Sequence, residues 1–188
     1  MDKVDYSEIE NRYWSLINIA KEYMSNINDF EHDINHINDV LFYIKKLINK
    51  LDIDINYDVC IISAYWHDVG RIRGGVDHER ISAEMLKEIM EKNNYDKELI
   101  DACYKAIVNH KWSMKPETVE GLIIRDADKL AWLGIGRWNS CLKNEQRFDS
   151  LMELLPRLRN EFLYFEEAKF IYDEEIVKLI KFLYEKIY

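Results

Sequence analysis

Apolar residues recur three and four positions apart along almost the whole chain, the spacing that gathers them on one face of an α-helix. Ile9, Tyr13, Ile17, Ala20 and Met24 make the face of a first helix. Ser7 and Glu10 are spaced as a capping box at its start, and the polar run Asn26-Ile27-Asn28-Asp29 ends it. A second helix is predicted from about Ile34 to Leu51, with Ile37, Val40, Leu41, Ile44, Leu47 and Ile48 inward. A third begins near Asn56 and ends at Asp68. Its run Val59-Cys60-Ile61-Ile62-Ser63-Ala64-Tyr65-Trp66 is apolar nearly all round, as a central, buried helix is. Val69-Gly70 closes it, and Arg71-Ile72-Arg73-Gly74-Gly75-Val76 reads as a loop.

The same spacing puts Ile81, Met85, Leu86 and Ile89 on a fourth helix. A fifth carries Leu99, Ile100, Cys103, Ala106 and Ile107 and ends by His110. Pro116 fits the first turn of a sixth, which carries Val119, Leu122, Ile123, Ala127 and Leu130. From about Asn144 to Tyr188 the chain reads as two more helices, with Pro156 starting or kinking one of them. The pattern therefore predicts an all-α bundle of about eight helices. There is no repeat and no low-complexity linker, so residues 1–188 read as a single domain whose last part, about 144–188, is a helical extension.

Composition supports this picture. With 6 Gly and 2 Pro in 188 residues, the punctuation of strands and tight turns is scarce. A formal net charge of −9 argues against a nucleic acid polymer and against an anionic membrane surface as partners, since both need a basic face. It leaves room for a small anionic substrate held locally by a few arginines and a cation. Cys60, Cys103 and Cys141 form no CxxC pair and read as reduced, buried thiols. The segment Met1-Asp2-Lys3-Val4-Asp5 has no apolar h-region, and no apolar run approaches the roughly 20 residues of a membrane span. A cytoplasmic location is the expectation, and a homodimer is compatible with it.

The chemistry is concentrated in five histidines: His32, His36, His67, His78 and His110. Four of them fall at or near predicted helix ends, where residues distant in sequence can converge. His67-Asp68 ends the most apolar helix, and a carboxylate buried there needs an opposite charge, which an arginine such as Arg71 or a dication would supply. His32-Asp33 has the same two letters in a polar stretch, and His32 is expected to stay away from any ligand set. Asp33 caps the second helix with His36 one turn in, Asp77-His78 opens the fourth, and His110 closes the fifth. Asp126 and Asp128 lie inside an apolar helix, two apart and so on different faces. In order, His36, His67-Asp68, His78, His110 and Asp128 each stand on a different element. Mixed imidazole and carboxylate donors suit Mn²⁺, Fe²⁺, Ni²⁺, Co²⁺ or Zn²⁺, with Mg²⁺ on the carboxylate side.

With these residues in place, the chain resembles the HD-domain superfamily of metal-dependent phosphohydrolases, in particular the small stand-alone bacterial HD hydrolases. The matching signature is H…HD…D: His36, His67-Asp68 and Asp128. The strings Trp66-His67-Asp68-Val69-Gly70-Arg71, His78-Glu79-Arg80-Ile81-Ser82-Ala83 and Arg125-Asp126-Ala127-Asp128-Lys129-Leu130 carry the likeness, over about Phe30 to Gly136. The resemblance implies an HD-type fold with His36, His67, Asp68 and Asp128 as ligands of one divalent ion. His78 and His110 would be added if a second is bound. It implies hydrolysis of a small phosphorylated substrate, a nucleotide first among them, by metal-activated water. Asp68 would orient the nucleophile or bridge two ions. Arg71 and Lys129 join it as catalytic candidates, and Arg71, Arg73 and Lys111 are candidates for holding phosphate. The chain departs from the family's strings at Ala131, where an acidic residue is often found, and Trp132 is bulky there, so the region after Asp128 is expected to shape a different pocket. The same six ligands would also serve a di-iron oxygenase of this fold or a non-catalytic nucleotide sensor, although filled ligand positions speak against a sensor.

Overall fold

The computed structural model describes residues 4–27, 31–111 and 113–187. The predicted end of the first helix at Asn28-Asp29, the start of the motif region at Phe30, the first three residues of the N-terminal segment and Tyr188 lie outside them. Every regular element among the described residues is helical. In chain order these are α1 (Tyr6–Arg12), α2 (Trp14–Ser25), α3 (Ile34–Ile48), α4 (Tyr57–Trp66), the 3₁₀ turn Val69–Arg73, α5 (His78–Lys92), α6 (Lys97–Val108) and α7 (Val119–Leu130). Then follow the 3₁₀ turn Ala131–Leu133, α8 (Ile135–Cys141), α9 (Glu145–Arg157), the π-turn Leu158–Phe162 and α10 (Glu166–Ile187). The eight predicted helices become ten for two reasons. The first is interrupted at Tyr13, whose backbone leaves the helical region (φ −106°, ψ 20°). The seven-residue α8 is too short to declare a period in the sequence.

Helix starts are set by short polar side chains. Asp33 accepts hydrogen bonds from the amides of Asn35 and His36, Asn56 from Val59, Asp96 from Glu98 and Leu99, and Thr118 from Gly121. At α1 the cap is Asp5, not Ser7: Asp5 accepts from the amides of Ser7 and Glu8, and the Ser7 hydroxyl donates to it as well. Pro116 sits ahead of α7 instead of in its first turn, where it packs against Gly121. Asp77 does not cap α5; its backbone is left-handed (φ 54°), a conformation that costs an aspartate energy and aims His78 inward.

α4 is the axis of the molecule. All residues from Val59 to Trp66 are buried, and α2, α3, α6 and α7 pack around them. The predicted inward positions of α3 are all buried, as are Ile9, Tyr13, Ile17, Ala20 and Met24. Cys60, Cys103 and Cys141 are buried free thiols. No described helix is long and apolar enough to cross a membrane. α10 packs on α7 and α3. It begins where Asp126 accepts hydrogen bonds from the amides of Tyr164 and Phe165. Pro156 falls inside the last turn of α9, just before the π-turn.

Past α4 the chain does not open into a loop. It winds into the 3₁₀ turn Val69–Arg73, which lies flat on α5. Gly70 makes that contact: a Cβ there would lie 2.3 Å from the His78 carbonyl oxygen and 2.7 Å from the Ser82 amide nitrogen. The Gly70 amide also donates to the Ser82 hydroxyl. Gly70→Ala is therefore expected to push the turn off α5 and cost at least about 1–3 kcal/mol, the usual scale of overpacking. Urea unfolding checks this, and a midpoint equal to that of the wild type would refute it.

Candidate metal centre

The end of α4 delivers two side chains to one buried point. His67 closes the helix, and Asp68 follows at the bend into the 3₁₀ turn. His36 arrives from the first turn of α3, His78 opens α5, His110 lies just past the end of α6, and Asp128 comes from the last turn of α7. All six are buried. His36 Nε2 lies 3.2 Å from Asp128 Oδ1 and 3.7 Å from Asp68 Oδ2. It is also 3.3 Å from His67 Nε2. His67 Nε2 is 3.6 Å from Asp68 Oδ2, and His78 Nε2 is 3.1 Å from Asp68 Oδ1.

The outer ring nitrogens decide what the inner ones offer. His67 Nδ1 donates to the Ala64 carbonyl (2.8 Å), His110 Nδ1 to the Ile107 carbonyl (2.7 Å) and His78 Nδ1 to the Gly75 carbonyl (3.1 Å). Each of these rings, when neutral, carries its hydrogen on the outside and turns the Nε2 lone pair inward. His36 is set the other way. Its Nδ1 accepts from Arg137 Nη2 at 3.0 Å, and since an arginine only donates, the neutral ring carries its hydrogen on Nε2. That hydrogen points at Asp128 and His67, where a cation would draw the same lone pairs together. His36 Nε2 would hold a cation only once that proton had been released to solvent.

Electrostatics agrees with this arrangement. Burial pushes the His36 imidazolium down to about 4, with Arg137 adding to the effect and Asp128 opposing it. Burial and the neighbouring His67 push His110 down to about 3. Both rings are neutral near pH 7. Burial works against ionisation of Asp68, but His67, His78 and Arg71 overcome it and hold the carboxyl well below its usual range. Asp128 is held low in the same way, chiefly by Lys129 and His36. Two buried carboxylates and neutral imidazoles are the donor set of a hard to borderline divalent ion.

Among the described residues, two groups of side chains place possible ligand atoms within 4.8 Å of one another: His36, His67 and Asp128, and His67, Asp68 and His110. The Asp68 Oδ1 atom is buried without an aligned hydrogen bond, although Arg71 Nε lies 2.8 Å away. These observations fit an ion held among His36, His67, Asp68 and Asp128, with His110 in reach. His78 belongs to neither group; its Nε2 faces Arg71 Nη2 at 3.2 Å. The guanidinium and the His78 ring thus share the Oδ1 side of Asp68.

Of the other residues singled out in the sequence, Lys129 touches the Asp128 carboxylate directly. Arg73 is exposed. Lys111 reaches it only indirectly, 3.3 Å from the buried Glu79, which in turn lies 3.5 Å from His78 Nδ1. Asp126 faces the start of α10 and leaves the cluster to Asp128; burial raises its carboxyl to about 6 against the pull of the Phe165 and Tyr164 amides. His32 packs edge-on against His36, with ring centroids 5.7 Å apart, and joins neither ligand group. Sequence reasoning missed Arg137. It is buried, donates to the Glu31 carbonyl as well as to His36, and lies over the Trp132 ring. It comes just after the recognised motifs and on an element without a clear period, so nothing marked it.

Comparison with known proteins places these features. The family model of the HD domain matches residues 33–133, more than half of the chain. An uncharacterized protein of Clostridium beijerinckii is 29% identical over 139 residues, 72% of this chain and 87% of that one. A crystal structure of a "predicted HD superfamily hydrolase" from an uncultured Thermotogales bacterium has a TM-score of 0.73 at 21% identity. It covers 98% of both chains, and at that identity the likeness is one of fold.

A bound ion stabilises the folded state by mass action, by about 2.7 kcal/mol at a hundred times its dissociation constant. For a chain of this size that raises Tm by about 5–10 °C. Chelated protein given Mn²⁺, Fe²⁺, Co²⁺ or Ni²⁺ is expected to show such a shift, with close to one ion per chain by elemental analysis. His67→Ala should abolish the shift; a rise of the same size in the variant would remove His67 from the ligand set.

Proposed function

The chain belongs to the HD-domain family, whose members are metal-dependent hydrolases, and on that premise we propose that it hydrolyses a small phosphorylated substrate of the nucleotide class. The observation that carries the reading is the juxtaposition at Asp68. One edge of the carboxylate faces the imidazole cluster, while the other meets the Arg71 guanidinium at its rim. A donor set for a divalent ion and a fixed cation for an anionic substrate therefore share one residue.

A divalent ion held by His36, His67, Asp68 and Asp128 supplies a water of lowered pKa and a Lewis acid for phosphoryl oxygens. The chain's own groups do the rest. Arg71 is partly exposed; its Nε lies 2.8 Å from Asp68 Oδ1 and its Nη2 3.2 Å from His78 Nε2, and these contacts hold the guanidinium at the rim, where its remaining N–H groups would meet phosphoryl oxygens. Lys129 adds a second positive charge beside Asp128. Asp68 Oδ1, lacking an aligned hydrogen bond, is placed to accept one from an attacking water and so to orient it. The overall charge of −9 is no obstacle, because the anion meets these local cations and not the mean field.

Phosphate release from a panel of nucleoside monophosphates and simple phosphate esters, with added Mn²⁺, Co²⁺ or Ni²⁺, tests the proposal. His67→Ala is expected to lower kcat by at least about a hundredfold. Arg71→Ala should cost about 10²–10³ in kcat/KM, the scale of a lost preorganised charge contact. Equal phosphate release by wild type and His67→Ala would refute the function.

A further inference from the structure

Beside the cluster, Lys129, Trp132, Leu154, Arg157, Leu158 and Phe162 line a pocket of about 180 Å³. We infer that this pocket is the subsite for a flat, single-ring, uncharged group carried by the phosphorylated substrate and stacked on Trp132. The inference rests on the phosphohydrolase reading above and names the part of the substrate that lies beyond the phosphate.

Position comes first. Lys129 lines the pocket while its Nζ is ion-paired with Asp128, so the inner end of the pocket is the edge of the metal centre. A ligand with its phosphate at the cluster and its far end in the pocket has to pass Lys129. The walls come next. Apart from the two cations they are aromatic or aliphatic, and no carboxylate lines the pocket in a chain that carries an excess of nine negative charges. Both cations lie over aromatic faces: Lys129 Nζ is 5.9 Å from the Trp132 centroid, and the Arg157 guanidinium carbon is 5.6 Å from that of Phe162. Each of these cations is ion-paired, Lys129 with Asp128 and Arg157 with Glu161, so the lining presents aromatic and aliphatic surface with compensated charge at its edge. It suits a flat, uncharged π-system.

Size narrows the occupant. The volume equals that of about six liquid waters, taking about 30 Å³ for each. That admits one substituted ring and is tight for a fused pair.

The local backbone shows that the pocket is built. Pro156 has no amide hydrogen to give to the turn before it, and the chain widens into the π-turn Leu158–Phe162 directly afterwards. Leu158 at one end of that turn and Phe162 at the other both face the pocket. Opposite them, Trp132 stays partly exposed between the buried Ala131 and Leu133.

Two sources share this chemistry: a pyrimidine nucleoside monophosphate and an aryl phosphate. The test uses CMP and UMP, phenyl phosphate, purine nucleoside monophosphates, glycerol phosphate and butyl phosphate, on the metal-loaded wild type, Trp132→Ala and Trp132→Phe. Single-ring esters are expected to exceed glycerol and butyl phosphate in kcat/KM by about tenfold to a hundredfold, the scale of one base stacked on an aromatic ring, and mainly through KM. Trp132→Ala should bring that ratio close to one, and Trp132→Phe should restore most of it. Preference for CMP and UMP over phenyl phosphate identifies the pyrimidine source, and the reverse identifies the aryl source. Butyl phosphate as good as the ringed esters, purines better than pyrimidines, or an unchanged ratio in Trp132→Ala would each overturn the inference. If no ester is hydrolysed, the phosphohydrolase reading fails, and the pocket is judged by calorimetric binding of cytidine, uridine and phenol. Saturable binding that Trp132→Ala abolishes supports the subsite, and no binding to the wild type overturns it.

Discussion

Two ionised carboxylates in the dry centre of a helical protein are the constraint on which the rest of the structure depends. Asp68 and Asp128 are buried, and burial alone drives each toward the neutral acid. An unpaired charge there would cost several kcal/mol. Positive charge and a ring N–H therefore have to be brought to them from different elements. The His36 ring of α3 and Lys129 of α7 meet Asp128, and Arg71 of the 3₁₀ turn meets Asp68. The apolar wrapping of α4 makes the interior dry, and the dryness makes the convergence obligatory. Fold and site are one solution to a single electrostatic problem.

The periphery of the cluster is as organised as its centre. Three imidazoles are locked by backbone carbonyls and one by Arg137. Arg137 is itself held by the Glu31 carbonyl, and Glu31 is ion-paired with Arg147 at the start of α9. A chain of contacts thus runs from the C-terminal half of the molecule to the tautomer of His36. The aromatic pocket beside Lys129 lies on that same half, so the part of the chain without a recognised motif orients a ligand on one side and forms a pocket on the other.

Much of this was legible in the amino-acid sequence, for identifiable reasons. The all-round apolarity of α4 marked it as central, and its position made His67-Asp68 stand out from His32-Asp33. The order of His36, His67-Asp68, His78, His110 and Asp128 pointed to the family that the comparisons support. Other features had no local signal. Asp126 and Asp128 look alike in an apolar helix, and only the arrival of the Tyr164 and Phe165 amides separates their duties. Gly70 reads as punctuation until α5 is seen to press on it. Arg137 depends on partners from distant parts of the chain, and so does the pairing of Lys111 with Glu79. The misplaced cap at Ser7 shows how a spacing rule yields to a better-placed neighbour, here Asp5. Properties carried by one helix face were readable, whereas properties carried by distant pairs were not.

The distribution of the cluster's side chains along the sequence has a consequence for folding. His67 and Asp68 are neighbours, but His36 and Asp128 reach them from opposite sides in sequence, and α5 and α6 lie in the chain between α4 and the α7 that packs on it. Closing loops of that length carries an entropic cost that only the finished core offsets. In a nascent chain the His67-Asp68 pair has neither its partners nor its dry surroundings. An ion that needs all of these side chains would therefore find its site only in a completed interior.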